Sequence, residues 1–349
     1  MAKSSAAASP RVSRQTLLPD PRISPRFAGL VTFGRYPRLE DVAPANRPSD
    51  WLIYGVPFDA GVTYRPGARF GPRAIRNESQ YLKRFSIAHN VDVCAALSIA
   101  DAGDSPVQPY SCEESMLLQV EFARRLDGGG TPAAKLLALG GDHSIAYGNI
   151  RATWERQSSR RGGNAGDGGK KSKSGANALA LIHFDSHLDT VDTVWGEKWG
   201  HASPFRRAIE DGLVDPKRML SVGIKGPLNT GADLEFVRDH GVTVLTYDDV
   251  RKRGTVPVAK FVKKLGAAPA YVTFDVDVVD PAFAPGTGTP SVGGFTSAEA
   301  IDLIRACRGV NVVGADVVEV LPDRDVSGIT ALLAAHVAFE VLSLDAARE

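Results

Sequence analysis

The sequence predicts an α/β domain organised around a parallel β-sheet, and three observations lead there. Short β-branched or aliphatic runs alternate with stretches of helical period, the trace left by strands joined through crossover helices. Eight such runs occur along the chain. Reactive residue types stand directly after three of them, as expected of a sheet whose loops at the C-terminal strand ends carry the chemistry.

Taken in order, the strand candidates are Trp51 to Val56, Leu97 to Asp101, Lys135 to Leu139, Ala178 to Phe184, Met219 to Ile224, Val242 to Thr246, Tyr271 to Phe274 and Val312 to Val317. A closed βα barrel and an open doubly wound sheet fit the pattern equally, because periodicity says nothing about closure. Two segments fall outside it. Residues 1–46 are rich in Pro, Arg and Ser without a sustained period, and read as an arm lying on the surface or on a neighbouring subunit. The tract Gln157 to Asn177 is basic and rich in Gly and Ser, so it cannot bury apolar surface and reads as a flexible surface insertion. One catalytic domain over 47–349 remains.

Bulk composition narrows the class of partner. With 349 residues, 43% of them hydrophobic, the chain can bury a sizeable core. The 41 basic and 40 acidic residues are interspersed, giving a formal charge of +1 and no field of one sign for nucleic acid or membrane. A small-molecule partner is expected. Cys94, Cys112 and Cys307 lack CxxC spacing, which argues against a disulfide framework or a thiolate zinc site. No signal-peptide core precedes Pro10, and no later run approaches the ~20 apolar residues of a membrane span. The expectation is a cytoplasmic protein, with the basic, acid-poor stretch through Arg14 leaving organellar targeting open.

The chemistry concentrates in three loops. Gly140, Gly141, Asp142, His143 and Ser144 follow the third strand candidate; Asp185, Ser186, His187, Leu188 and Asp189 follow the fourth; Asp275, Val276 and Asp277 follow the seventh. Alone, each has a bland reading: Asp142 or Ser144 as a helix cap, Asp185 and Asp189 as solvated loop acids. Asp275 and Asp277 are harder to dismiss, since they alternate along an apolar run and would face one side. On one rim, His143, His187, Asp185, Asp189, Asp275 and Asp277 would place four carboxylates in one cleft, which calls for cations. A sulfur-free, oxygen-rich ligand set suits Mn(II), and six ligands suit two ions. Such a pair brings the pKa of bound water down toward neutrality and so supplies a nucleophile.

These residues carry a resemblance. GGDHS at Gly140 to Ser144, HFDSHLDT at His183 to Thr190 and FDVDVVDPAFAPGTGTP at Phe274 to Pro290 resemble the three metal-site blocks of the arginase and agmatinase (ureohydrolase) family. GADVVEVLP at Gly314 to Pro322 resembles the block whose glutamate binds the guanidinium, and GVPFDAGVTYRPGARFGPRAIR at Gly55 to Arg76 is similar to an agmatinase-side N-terminal block. The resemblance implies an arginase-type open three-layer α/β/α fold with an eight-stranded, mostly parallel sheet, two Mn(2+) per subunit and a trimeric or hexameric homo-oligomer. It assigns one metal to His143, Asp185, Asp189 and Asp275 and the other to His187, Asp185, Asp275 and Asp277, with Asp185 and Asp275 bridging. Glu319 would anchor the guanidinium, Asp277 would assist proton transfers, and His201, in GHASPF, would shuttle a proton to the departing amine. Ala202 stands where the family motif has glycine, and His183 reads as a structural residue of its strand.

Substrate choice is read from the loop TVDTVWGEKWGH, Thr190 to His201, which lacks the Ser-Gly-Asn run of arginases. Agmatine is placed first, a guanidino acid such as 4-guanidinobutanoate second and arginine last. Trp195 and Trp199 are candidates to line an aliphatic channel, and Arg65 is a candidate to attract a carboxylate. Readings from other classes are a nucleotide-binding module, disfavoured because GxGxxG and GxxxxGK[ST] are absent from the strand-to-helix turns; a mononuclear zinc deacetylase-like hydrolase, distinguished by metal stoichiometry; and a non-catalytic relative, disfavoured by the filled ligand positions.

Overall fold

The computed structural model describes residues 16–42, 50–126, 134–160 and 177–348. The strands of the main sheet are β1 Trp51–Val56, β2 Ile99–Asp104, β3 Lys135–Gly140, β4 Leu179–Phe184, β5 Val214–Ile224, β6 Thr243–Thr246, β7 Pro269–Asp275 and β8 Asn311–Val318. They lie side by side in the order β2-β1-β3-β8-β7-β4-β5-β6, and every neighbouring pair is parallel. The two ends do not pair, so the sheet is open and the barrel alternative falls.

Alternation along each strand sorts its side chains into two cores. On β4, Leu179 and Leu181 join Tyr271 of β7 in a cluster with Tyr147 and Ile150 of helix Ile145–Arg160 and Phe205 of helix Pro204–Glu210. Ala180, Ile182 and Phe184 face the other way, with Val272 and Phe274, toward helix Ile329–Ala346. Helices therefore cover both faces, giving three layers. The register of the central strands aligns His183 with Thr273 and Thr273 with Asp316, so one polar row crosses β4, β7 and β8 on the first face.

Two expectations need correction, on the insertion and on the apolar runs. Helix Ile145–Arg160 continues through residues assigned to the basic insertion, whose remainder, 161–176, lies outside the described residues. A stretch long and apolar enough to cross a membrane does exist by length and composition, Val326–Ala346. It is a core helix, mostly buried against strands and helices, with Leu333, Val337, Val341 and Leu344 all buried. Residues 16–42 of the N-terminal arm pack on the domain itself. Thr16 donates its hydroxyl to the Leu97 carbonyl and accepts from the Ile99 amide, and Phe33 and Tyr36 are buried in the core. All three cysteines are free.

Gly141 shows how tightly the third strand's exit is seated. Its amide donates to the Val56 carbonyl at 3.1 Å, and a Cβ there would stand 2.2 Å from the Phe58 carbonyl oxygen and 2.6 Å from that of Val56. Both obstacles are backbone, which cannot rotate away as a side chain tip would. Gly141→Ala is expected to destabilise the protein by about 1–3 kcal/mol in equilibrium denaturation, and to weaken metal binding by moving His143; unchanged stability would show that the β1 exit loop is free to yield.

Candidate metal centre

Four adjacent strands, β3, β8, β7 and β4, deliver the reactive residues at their C-terminal ends. His143 follows β3; Asp185, His187 and Asp189 follow β4; Asp275 ends β7; Glu319 follows β8. Asp277 departs from the expected strand alternation: it sits in a 3-10 turn, Val276–Val278, started by the Asp275 carboxylate, which accepts the Asp277 amide at 2.8 Å. The turn still presents Asp277 to the same cleft, because its Oδ2 lies 3.1 Å from His187 Nδ1.

Two groups of donor atoms result. His143 Nδ1 lies 3.0 Å from Asp185 Oδ2, 2.9 Å from Asp189 Oδ2 and 3.4 Å from Asp275 Oδ2. Asp185 Oδ1, with Asp277, faces His187 Nδ1 at 3.3 Å. Asp185 thus belongs to both groups, as a bridging ligand must. Asp275 stands a little outside the tightest cluster, and His183 stands inside it, with its Nε2 2.8 Å from Asp185 Oδ2 and Nδ1 3.1 Å from Ser221 Oγ. His183 therefore holds Asp185 in orientation. The signal was present in sequence: His183 and Asp185 are two apart on one strand and share a face.

The test of whether metal ions fit rests on His143. Thr273 donates its hydroxyl to Asp316 Oδ1, so His143 Nε2, 2.8 Å from Thr273 Oγ1, must be the protonated nitrogen. Nδ1 is buried, without a properly directed hydrogen bond, among three carboxylate oxygens. That is how an imidazole is prepared for a cation, its far nitrogen fixed by a hydrogen bond. The sulfur-free donor set suits hard divalent ions.

The electrostatics agree. Burial alone would lower the pKa of His143, but contacts with Asp185, Asp189 and Asp275 overcome it and hold it well above the usual histidine value. Burial, then Asp277 and Asp185, push Asp275 well above the usual carboxylate value. Burial also disfavours the Asp185 anion, yet contacts with His143, His183 and His187 keep its pKa well below normal. Carboxylates driven apart in this way are sharing too little positive charge.

Glu319 and His201 form the adjoining part of the site. Glu319 Oε1 accepts the His143 amide at 2.9 Å and faces His201 Nδ1 at 2.9 Å, while buried Oε2 has no partner. In the neutral ring His201 Nε2 accepts the Thr63 amide at 2.9 Å, so the proton that stays is on Nδ1. Burial lowers the His201 pKa, but Glu319, Asp142 and Asp189 raise it to about 9 overall. Ala202 needs no positive φ, so the missing glycine does not disturb the loop. Asp189 and Glu319 adopt left-handed backbones, with φ of 53° and 67°, a conformation uncommon for residues other than glycine. Trp199 packs edge-on against Tyr147, whereas Trp195 is 82% exposed at a turn tip.

A family model described as the arginase family matches residues 49–343. The chain belongs to the arginase family. It is 39% identical to a guanidinopropionase of Pseudomonas aeruginosa over 92% of this chain and 93% of that one. It is 36% identical to a mitochondrial agmatinase of Gallus gallus over 97% and 92%. The solved structure of proclavaminate amidino hydrolase from Streptomyces clavuligerus superposes with a TM-score of 0.81 at 36% identity, covering 93% of this chain and all of that one. The six acidic and imidazole candidates of this arginase-family chain, with Glu319 and His201, converge on one cleft.

Because His143, His187 and Asp275 all have raised pKa values without metal, they retain protons that a cation must displace. Manganese titration at neutral pH in buffers of different ionisation enthalpy is therefore expected to show net proton release, and affinity should fall as pH falls. Binding without proton release would contradict this reading of the cluster.

Proposed function

We propose that this arginase-family chain is a two-manganese ureohydrolase that splits a guanidino acid into urea and an amino acid. The observation that carries the reaction class is the buried, unpartnered Oε2 of Glu319 beside the carboxylate-histidine cluster. Gly288 opens the space in front of it: a Cβ there would lie 3.8 Å from that oxygen. A planar guanidinium is the cation whose paired N–H groups match a carboxylate.

In this reading His143, Asp185, Asp189 and Asp275 hold one ion, and His187, Asp185, Asp275 and Asp277 the other. Divalent ions there supply Lewis acidity and a water acidified toward neutral pH. The protein's own groups do the rest. Glu319 Oε1, fixed by the His143 amide and by His201, sets the carboxylate plane, so Oε2 orients the guanidinium carbon toward the metal cleft. Asp277 is the carboxylate for proton transfers within the cleft. His201, protonated at Nδ1 beside Glu319, is proposed to deliver the proton that the departing amine requires.

Arg65 supports the choice of a guanidino acid over the agmatine favoured from sequence. Its backbone borders the opening, since the same Gly288 Cβ would lie 2.9 Å from the Arg65 carbonyl oxygen. Its guanidinium stacks on Tyr64 at 4.6 Å and makes no ion pair among the described residues, so a substrate carboxylate finds it free. Agmatine is the second reading, supported by the likeness to an agmatinase. The proposed homo-oligomer draws support from the arm, where Ile23, Phe27 and Leu30 are exposed.

Urea release by manganese-loaded protein decides between them. With 4-guanidinobutanoate, 3-guanidinopropionate, agmatine, arginine and guanidine compared, a guanidino acid is expected to give the highest kcat/KM, and Arg65→Leu to raise KM for the acids about tenfold, one lost charge-assisted contact, without changing agmatine turnover. Preference for agmatine would remove Arg65 from the substrate site.

Glu319→Gln keeps the volume but replaces acceptor lone pairs with donors. It is expected to lower kcat/KM on the order of 10², about 3 kcal/mol of transition-state stabilisation, with both metals retained. Near-normal kcat/KM would withdraw Glu319 as the guanidinium anchor, and loss of the metals would move it into the metal shell.

A further inference from the structure

Lys225 is the first residue after β5, on a strand that contributes none of the proposed ligands. In the sheet β4 separates β5 from β7, yet the lysine reaches across the β4 loop to the β7 turn. Its amide donates to the Ser186 carbonyl at 3.1 Å. Its Nζ donates to Ser186 Oγ and, at 2.8 Å, to the Asp277 carbonyl. Ser186 completes the junction, because its hydroxyl also donates to the Asp277 carbonyl at 2.7 Å and its amide to Asp277 Oδ1 at 3.1 Å. Ser186 stands between Asp185 and His187; Asp277 is itself a proposed ligand.

The lysine's place is prepared on both sides. Gly294 packs against its stem, since a Cβ there would lie 2.7 Å from Lys225 Cε. Gly223, with φ of 102°, lets β5 approach closely, since a Cβ there would stand 2.3 Å from Val278 Cγ2 and 3.1 Å from the Asp185 carbonyl. A half-buried ammonium with two directed acceptors, both on ligand-bearing loops, is a fixed crosslink rather than a solvated surface charge.

We propose that Lys225 is a positioning residue for the second metal position, the one formed by Asp185, His187 and Asp277. Its ammonium clamps the β4 loop to the β7 turn through Ser186 Oγ and the Asp277 carbonyl, which sets the separation of His187 and Asp277. The first position does not depend on this clamp: His143 is held from β3 and β7 through Thr273, and Asp185 by His183. The inference rests on the two-metal reading above. It assigns the two ions unequal sensitivity to one residue that touches neither ion's ligand atoms.

The test is a Mn(II) titration of the full-length, chelator-stripped protein by calorimetry, with bound metal counted by elemental analysis and thermal unfolding of the metal-free protein measured in parallel. Wild type is expected to bind two ions. Lys225→Met should bind the first ion within about threefold of wild type and the second 10–100-fold more weakly, the range found when a ligand's supporting partner is lost. Lys225→Arg should recover part of the second affinity, and Ser186→Ala, which removes the shared acceptor, should reproduce the selective loss in a variant that keeps the lysine. Equal weakening of both ions together with a lowered unfolding temperature of the metal-free protein would make Lys225 a general structural residue and overturn the proposal. So would wild-type binding of both ions in Lys225→Met and Ser186→Ala. If wild type itself takes up one ion, the two-metal reading fails first, and that outcome is recognisable before any variant is compared.

Discussion

Burying several carboxylates in one place is the constraint on which the rest of this structure depends. Asp185, Asp189, Asp275 and Asp277 are all buried, and Glu319 is buried beside them. An isolated buried carboxylate costs several kcal/mol even after relaxation, so the site exists only because cationic partners surround it. Asp185 is the focus, contacted by His143, His183 and His187 at 3.0, 2.8 and 3.3 Å. Lys225 adds a cation from beneath. A divalent ion would find donor atoms already turned inward.

Sheet register extends that order away from the cleft. His183, Thr273 and Asp316 lie in one row, so the hydroxyl of Thr273 can pass the Asp316 carboxylate's influence to His143. Asp316 also accepts from Tyr271, whose hydroxyl receives Asn149, which in turn accepts from Tyr54. Gln119 donates to Tyr54 and ends the chain of bonds. A buried polar network of this kind is tolerable because each member finds a partner, and a one-residue slip in β7 or β8 would turn the whole row to the apolar face. The ligand geometry and the register are therefore one requirement.

Burial also explains the helix that looks like a membrane span. Helix Ile329–Ala346 is mostly buried against β8 and its neighbouring helices, and its buried acidic residue Glu340 pairs with His89 at 2.9 Å and with Arg305 at 2.7 Å. Length and hydropathy cannot separate a lipid-facing helix from one largely buried in a core, since both keep most of the helix surface from water.

Sequence by itself determined the strands, to within a few residues at their ends, and the residue types at the site, because buried parallel strands leave continuous apolar runs and the reactive residues follow them directly. His143, Asp185, His187, Asp189, Asp275 and Asp277 were legible for that reason, and Glu319 and His201 through family resemblance. Tertiary structure alone decided that the sheet is open and that Asp277 leaves the strand for a turn. It also brought Lys225 from β5, and Thr63 from the loop after β1, to contacts that local pattern does not encode. Periodicity reports which face of an element a residue occupies, whereas distances between elements arise only when strand order and register place remote segments side by side.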